Sequence, residues 1–153
     1  MKKILVFFIF LPIMSVSQIN WDEVKVKSTQ LAPDLHRLFI GEGVAMLAYF
    51  GEDDVLLVDA AYDRTDEMVK EELEKLGNAN IRYIINTHYH GDHTGGNKKL
   101  GQNADIISHH YVKDLISKDR GEEENKREAF PEFAQPNITF SDSLAIRYNN
   151  QTI

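Results

Sequence analysis

Cysteine is missing from all 153 residues. That one absence excludes disulfides, thiolate nucleophiles, thiolate-bound metal and a lipid-modified N-terminal Cys together. Basic charge is in short supply as well, with 17 Lys and Arg against 24 Asp and Glu and a net charge of −7. A chain of that sign has no field to gather polyanions, so nucleic acid is not an expected partner. Repeats and low-complexity tracts are absent, and only one segment is continuously apolar over ten residues. The length has room for a single domain. Hydrophobic residues at 42% and charged residues at 27% mark a globular folder rather than a disordered or fibrous chain. If a metal is held, His and carboxylates must hold it.

The apolar segment lies at the N-terminus. Lys2 and Lys3 precede a run from Ile4 to Ile13, and Ser15-Val16-Ser17 offers small residues where a signal peptidase reads them. A spanning helix needs about 20 apolar residues, twice this length. Residues 1–17 therefore read as a signal peptide, with Gln18 as the mature start, no stable membrane insertion after cleavage, and export to a bacterial periplasm. An uncleaved interfacial anchor is the competing reading. Residues 18–34 read as a lead-in to the domain.

From residue 35 onward, strand and helix patterns alternate. Leu35 to Ile40 and Val44 to Phe50 are β-rich runs, and the second turns through Gly51-Glu52-Asp53-Asp54 into Val55-Leu56-Leu57-Val58. That last run is continuously apolar, as a strand buried on both faces should be, and it stops at Asp59. Thr65 to Leu76 changes period, with Met68, Val69, Leu73 and Leu76 on one helical face and Gly77-Asn78 as a C-cap. Ile81 to Ile85 and Ala104 to Ile107 read as strands, and Tyr111 to Ser117 as a helix. Gly121 to Glu128 reads as a solvated charge run, and a hairpin begins near Leu144.

The chemistry is concentrated after the strand that ends at Ile85. Thr87-His88-Tyr89-His90-Gly91-Asp92-His93-Thr94-Gly95-Gly96-Asn97 holds three His and one Asp within six residues, amid three glycines. Neutral imidazole and carboxylate are donors that suit zinc. A single loop can aim several of them at one point only if its backbone takes unusual turns, which Gly91, Gly95 and Gly96 permit. The position past a strand's C-terminal end is where open α/β sheets place ligands. A His-rich surface loop with no ligand is the bland alternative.

At this string the sequence resembles the metallo-β-lactamase-fold hydrolases. Leu56-Leu57-Val58-Asp59, Ile106-Ile107-Ser108-His109 and Phe140-Ser141-Asp142-Ser143-Leu144 extend the likeness, which runs from Leu35 to Ile153. The fold it implies is α/β, the N-terminal half of a four-layer αβ/βα sandwich. By the same resemblance, His88 and His90 would bind a first zinc, and Asp92 and His93 a second. Asp92 would be catalytic, helping to position the hydroxide that two zinc ions share. Asp59 would fix ligand orientation through hydrogen bonds; a turn-capping role is its alternative. His109 and His110 match a position that is not a ligand, and His36 carries no signal.

The family completes its binuclear site with a further His, a bridging Asp and a last His from later in the chain, and Ile153 precedes all of them. The expectation is therefore a domain at 35–153 truncated at its C-terminus. Its parent would be a zinc-dependent, exported hydrolase cleaving an ester, thioester, lactone or β-lactam in a small-molecule substrate. Two other readings stand beside it. One is a non-catalytic fragment with weak metal binding. The other is an iron-dependent oxidoreductase of the persulfide dioxygenase type, whose motif is much the same. His90 stands where flavodiiron members carry Glu, which weighs against that branch.

Overall fold

The computed structural model describes residues 19–41, 43–52 and 54–153; the proposed signal peptide at 1–17 lies outside the described residues. Seven strands form one sheet in sequence order, β1(Val26–Ala32), β2(Leu35–Ile40), β3(Val44–Gly51), β4(Asp54–Val58), β5(Ile81–Asn86), β6(Asp105–His109) and β7(Ile138–Phe140). The first four pair antiparallel as a meander, and β4 to β7 pair parallel. The change of sense at β4 has a simple cause. Short polar turns join β1 through β4, whereas parallel neighbours need crossovers, which here contain α1(Asp66–Leu76), the pair α2(Gly91–Thr94) and α3(Asn97–Leu100), and α4(His110–Ile116).

Alternation along the strands divides the sheet into two faces. Leu38, Ile40, Met46, Ala48, Val55, Leu57, Ile84 and Ile106 point to the face covered by Val69 and Leu73 of α1 and by Leu100 of α3. Burial of Val69 and Leu73 follows the helical period read in the sequence. Gly77 ends α1 at φ 121°, where a side chain would be strained, and its N–H returns to the Leu73 carbonyl. On the other face Tyr148 is fully buried, edge-on to Tyr49 and Tyr83 at 5.6 and 5.8 Å. It arrives there on a small hairpin, β8(Arg147–Tyr148) and β9(Gln151–Thr152).

Two strands were not foreseen in the sequence. The stretch read as a lead-in contains β1, registered residue by residue against β2 from Val26 opposite Ile40 onward. As an edge strand it exposes most of its residues, so its apolar alternation is faint. The three-residue β7 closes the opposite edge. Among the described residues, no helix is long and apolar enough to cross a membrane.

Candidate metal centre and adjoining cleft

The motif segment begins where β5 ends and crosses the C-terminal edge of the parallel strands. Two ties fix its ends. Asn86 and Asn97 exchange side-chain amide hydrogen bonds at 2.8 and 3.1 Å in the buried interior, and Asn97 also donates to the Ala134 carbonyl. Between them, Ala60 N–H donates to the His93 carbonyl at 2.8 Å, and Gly96 N–H to the Ala61 carbonyl at 3.1 Å. The segment is thereby docked on the loop that follows β4.

The glycines serve this docking in a way the sequence did not reveal. Gly95 and Gly96 have ordinary helical φ of −57° and −67°. A Cβ on Gly95 would stand 2.5 Å from the Gly91 carbonyl oxygen and 2.7 Å from the Asp63 nitrogen, and one on Gly96 would overlap the Ala60 carbonyl. They are required for close approach, not for unusual turns. The left-handed backbone lies in the partner loop, at Asp59 (φ 66°) and Ala61 (φ 54°).

Asp59 is buried directly beneath the ligand segment. Its Oδ1 accepts from the Thr87 backbone N–H at 2.8 Å, and its carboxylate also accepts from the Thr87 hydroxyl. Its Oδ2 accepts from His93 Nδ1 at 2.8 Å. An ionised carboxylate only accepts, so His93 must carry its proton on Nδ1. The same logic runs one residue further. The Thr87 hydroxyl spends its only proton on Asp59, so it can meet His88 Nδ1, 3.0 Å away, only as an acceptor. His88 is therefore also protonated on Nδ1. One carboxylate thus leaves the Nε2 lone pairs of both His88 and His93 available, His88 through Thr87, a residue whose role the sequence did not disclose.

The imidazoles stand close together, with the His88 ring 4.0 Å from that of His93 and 4.9 Å from that of His90. His93 Nε2 faces Asp92 Oδ2 at 3.3 Å. A lone pair and a carboxylate at that distance are two acceptors, an arrangement that a shared cation stabilises. The donor types and their orientation therefore fit zinc. Their number is short of a full set: among the described residues, no group of three or more His, Asp or Glu side chains is placed to hold one metal ion. His109 and His110 do other work. His109 donates from Nε2 to the Ser141 carbonyl at 2.7 Å and accepts the Tyr111 N–H, and His110 sits against the Phe140 carbonyl. His36 on β2 packs edge-on to Phe50 on β3.

A cleft of about 1040 Å³ opens beside His90 and Asp92. Its aromatic wall is Trp21, Tyr62, Tyr89 and Phe130, with Trp21 edge-on to Tyr62 at 5.0 Å. Burial, and then the negative charge of Asp92, push the Tyr62 hydroxyl above its ordinary range. It stays protonated at neutral pH and can donate a hydrogen bond into the cleft. Arg120 and Arg127 form a further wall. The run from Gly121 to Glu128, which contains Arg127 but not Arg120, is expected to face water, and residues 121–129 are indeed exposed, yet Arg127 bounds the cleft. Trp21 and the two arginines were invisible as site residues because only the tertiary fold brings them to the motif.

These features place the chain in a known family. The model of the metallo-beta-lactamase superfamily matches residues 40–147. The chain belongs to the metallo-β-lactamase superfamily. Among solved structures it is similar to BJP-1, a subclass B3 metallo-beta-lactamase of Bradyrhizobium japonicum, at 25% identity and a TM-score of 0.70, covering 84% of this chain and 50% of that one. A metallo-beta-lactamase from Cronobacter sakazakii matches at 21% identity and a TM-score of 0.71, over 84% of this chain and 51% of its own. A beta-lactamase from Chitinophaga pinensis matches at 16% and 0.74, over 92% and 55%. The chain spans about half the length of these structures. No curated protein sequence matches it.

Proposed function

We propose that this chain supplies half of the active site of an exported, zinc-dependent hydrolase. The reading rests on one observation above the others: buried Asp59 leaves the Nε2 lone pairs of both His88 and His93 available, with His93 Nε2 beside Asp92, a residue that lines the cleft. Carboxylate–histidine pairs of this kind fix the tautomer and raise the basicity of metal ligands. His88 and His90 would hold one zinc, and Asp92 and His93 another. Zinc held there would supply a Lewis acid and a nucleophile drawn from water at neutral pH. Around it, Asp59 and Thr87 orient the imidazoles. Asp92 brings negative charge to the attacking side, and the Tyr62 hydroxyl is placed to donate to a polarised carbonyl. The bond cleaved is that of a β-lactam, ester, thioester or lactone. The likeness to BJP-1, a subclass B3 metallo-beta-lactamase, at 25% identity supports testing a β-lactam first.

A second reading applies to these 153 residues by themselves. Because no three donors among the described residues share one ion, and catalytic zinc takes three protein ligands, the chain alone would bind zinc weakly and turn over nothing. Metal analysis after dialysis, with initial rates on one β-lactam, one thioester and one lactone, tests both. The hydrolase reading expects zinc and turnover of one substrate in the protein completed by a second half, both lost in His88→Ala. Iron in place of zinc, or turnover indifferent to His88→Ala, would overturn it. Tightly held stoichiometric zinc in the chain alone would overturn the second reading.

A further inference from the structure

Arg120 and Arg127 are directly opposite each other on an isolated antiparallel bridge, joined by backbone hydrogen bonds of 2.9 and 2.7 Å. Residues so placed have their Cβ atoms about 4.5–5.5 Å apart, and like charges there repel. In a chain with a net charge of −7, carboxylates to neutralise them are plentiful. None is used: among the described residues, neither guanidinium has an ion-pair partner, although Lys126 between them is paired with Asp119 at 2.8 Å. Arg120 instead stacks over the Tyr89 ring at 4.8 Å, and an Arg127 guanidinium nitrogen lies beside Gly91, 3.7 Å from where a Cβ there would stand. Both contacts bring the cations against the ligand segment.

Beside the main cleft lies a smaller hollow of about 270 Å³, bounded by Tyr89, His90, Arg120, Gly121, Asn125 and Arg127. Among these lining residues none is acidic. Two guanidiniums, one amide side chain and no carboxylate form an anion receptor, since Arg presents its N–H groups in a fork matched to carboxylate and phosphate oxygens. The main cleft shares Tyr89, His90, Arg120 and Arg127 with this hollow and is lined as well by Trp21, Tyr62, Asp63, Asp92 and Glu128.

We propose that the Arg120–Arg127 bridge is an anion subsite that holds a carboxylate or phosphate group of the substrate while an aromatic part lies in the cleft against Trp21 and Tyr62. Its place in a hydrolytic reaction rests on the function proposed above; binding of the anion does not. Trp21 is the only tryptophan in the chain, so its fluorescence reports on the cleft. The full chain, freed of metal with chelator, is titrated with benzoate, phenyl phosphate and the neutral isostere benzamide.

The expected result is saturable quenching by the anions at least tenfold tighter than by benzamide, weakening as salt is raised. In Arg120→Gln/Arg127→Gln, affinity for the anions falls at least tenfold while that for benzamide is unchanged. Arg127→Lys, which keeps the charge, loses less; it also serves if the double variant does not fold. The tighter of benzoate and phenyl phosphate identifies the natural group. Equal binding of benzamide and benzoate, or anion affinity unchanged in both variants, would overturn the proposal. Anion binding seen only with zinc present, and lost in His88→Ala, would place the anion on the metal and overturn it as well. Anion binding that survives in a completed protein with no hydrolytic activity would sink the hydrolase reading and leave this subsite standing.

Discussion

The ligand segment and the arginine bridge line the same cleft, and they are built in opposite ways. Around Asp59, nearly every polar atom is engaged within the buried interior, and the glycines at 95 and 96 admit no side chain. Around Arg120 and Arg127 the chain is exposed, joined by a single bridge, and pinned by one surface ion pair. In the function proposed above, the first arrangement would hold donor atoms to the tolerance that metal binding demands. The second, in the subsite proposed above, would place charge near a substrate. On that proposal, the difference separates the part of a site that must be accurate from the part that would select.

The sharpest break of that contrast is Gly96→Ala. Its Cβ overlaps the Ala60 carbonyl, so the motif segment must lift from the loop after β4. A loss of about 3 kcal/mol is expected in urea unfolding, as for severe overpacking. A change below about 0.5 kcal/mol would mean that the two loops are not tightly docked. Next in size is Asp59→Asn, which removes the charge and replaces one of the two accepting oxygens by an amide donor. Thr87 and His93 can then no longer each find a carboxylate oxygen. Zinc affinity in a chelator-competition titration should fall about 10–100-fold. Thr87→Val, which cuts only the His88 branch, should cost less than Asp59→Asn; equal losses would show that the relay through Thr87 carries the whole effect.

At the arginine bridge, Gly121→Ala tests the pairing. Gly121 has φ 77°, and a Cβ there would strike the Asn125 carbonyl. The expected cost is about 1 kcal/mol, confined to the hairpin. Amide exchange should quicken at Arg120 and Arg127 and stay as it was at Gly96. Smallest is a pH effect. The Lys126 ammonium, and then the Ala129 N–H, hold the Asp119 carboxyl below its ordinary range. A depressed carboxylate contributes fully at neutral pH, and the contribution fades as pH falls through its lowered value, below about 4. The Ala129 amide resonance, followed by NMR, should therefore move only in that acid window. A midpoint above the ordinary carboxylate value would contradict the Asp119 clamp.

What the sequence disclosed follows the same division. His88, His90, Asp92 and His93 lie within six residues, so their clustering is a property of the chain itself. Asp59 was legible at the end of an apolar strand, although its bond to Thr87 was not. β1 was missed because an exposed edge strand needs no apolar alternation. Trp21 and Arg127 are separated from the motif by long stretches of chain, and a charged run gives no sign of which member turns inward. The close approach at Gly95 and Gly96 is a contact between loops, which no local pattern encodes.

The change of strand sense at β4 also has a consequence in time. Neighbouring strands such as β2 and β3 meet after closing short loops, Ile40 opposite Val44 at the nearest. The parallel pairs Leu57 with Ile84, and Ile107 with Ile138, must close long ones first. Loop-closure entropy grows with separation, and non-local pairing slows folding. The meander is therefore expected to form first, and the ligand segment, which docks only when β4 and β5 are both in place, to take its shape late. Pulse-labelled exchange during refolding should protect the amides of β2 and β3 before that of Thr87. Metal would then meet a sheet already half built and act on the last step of its assembly.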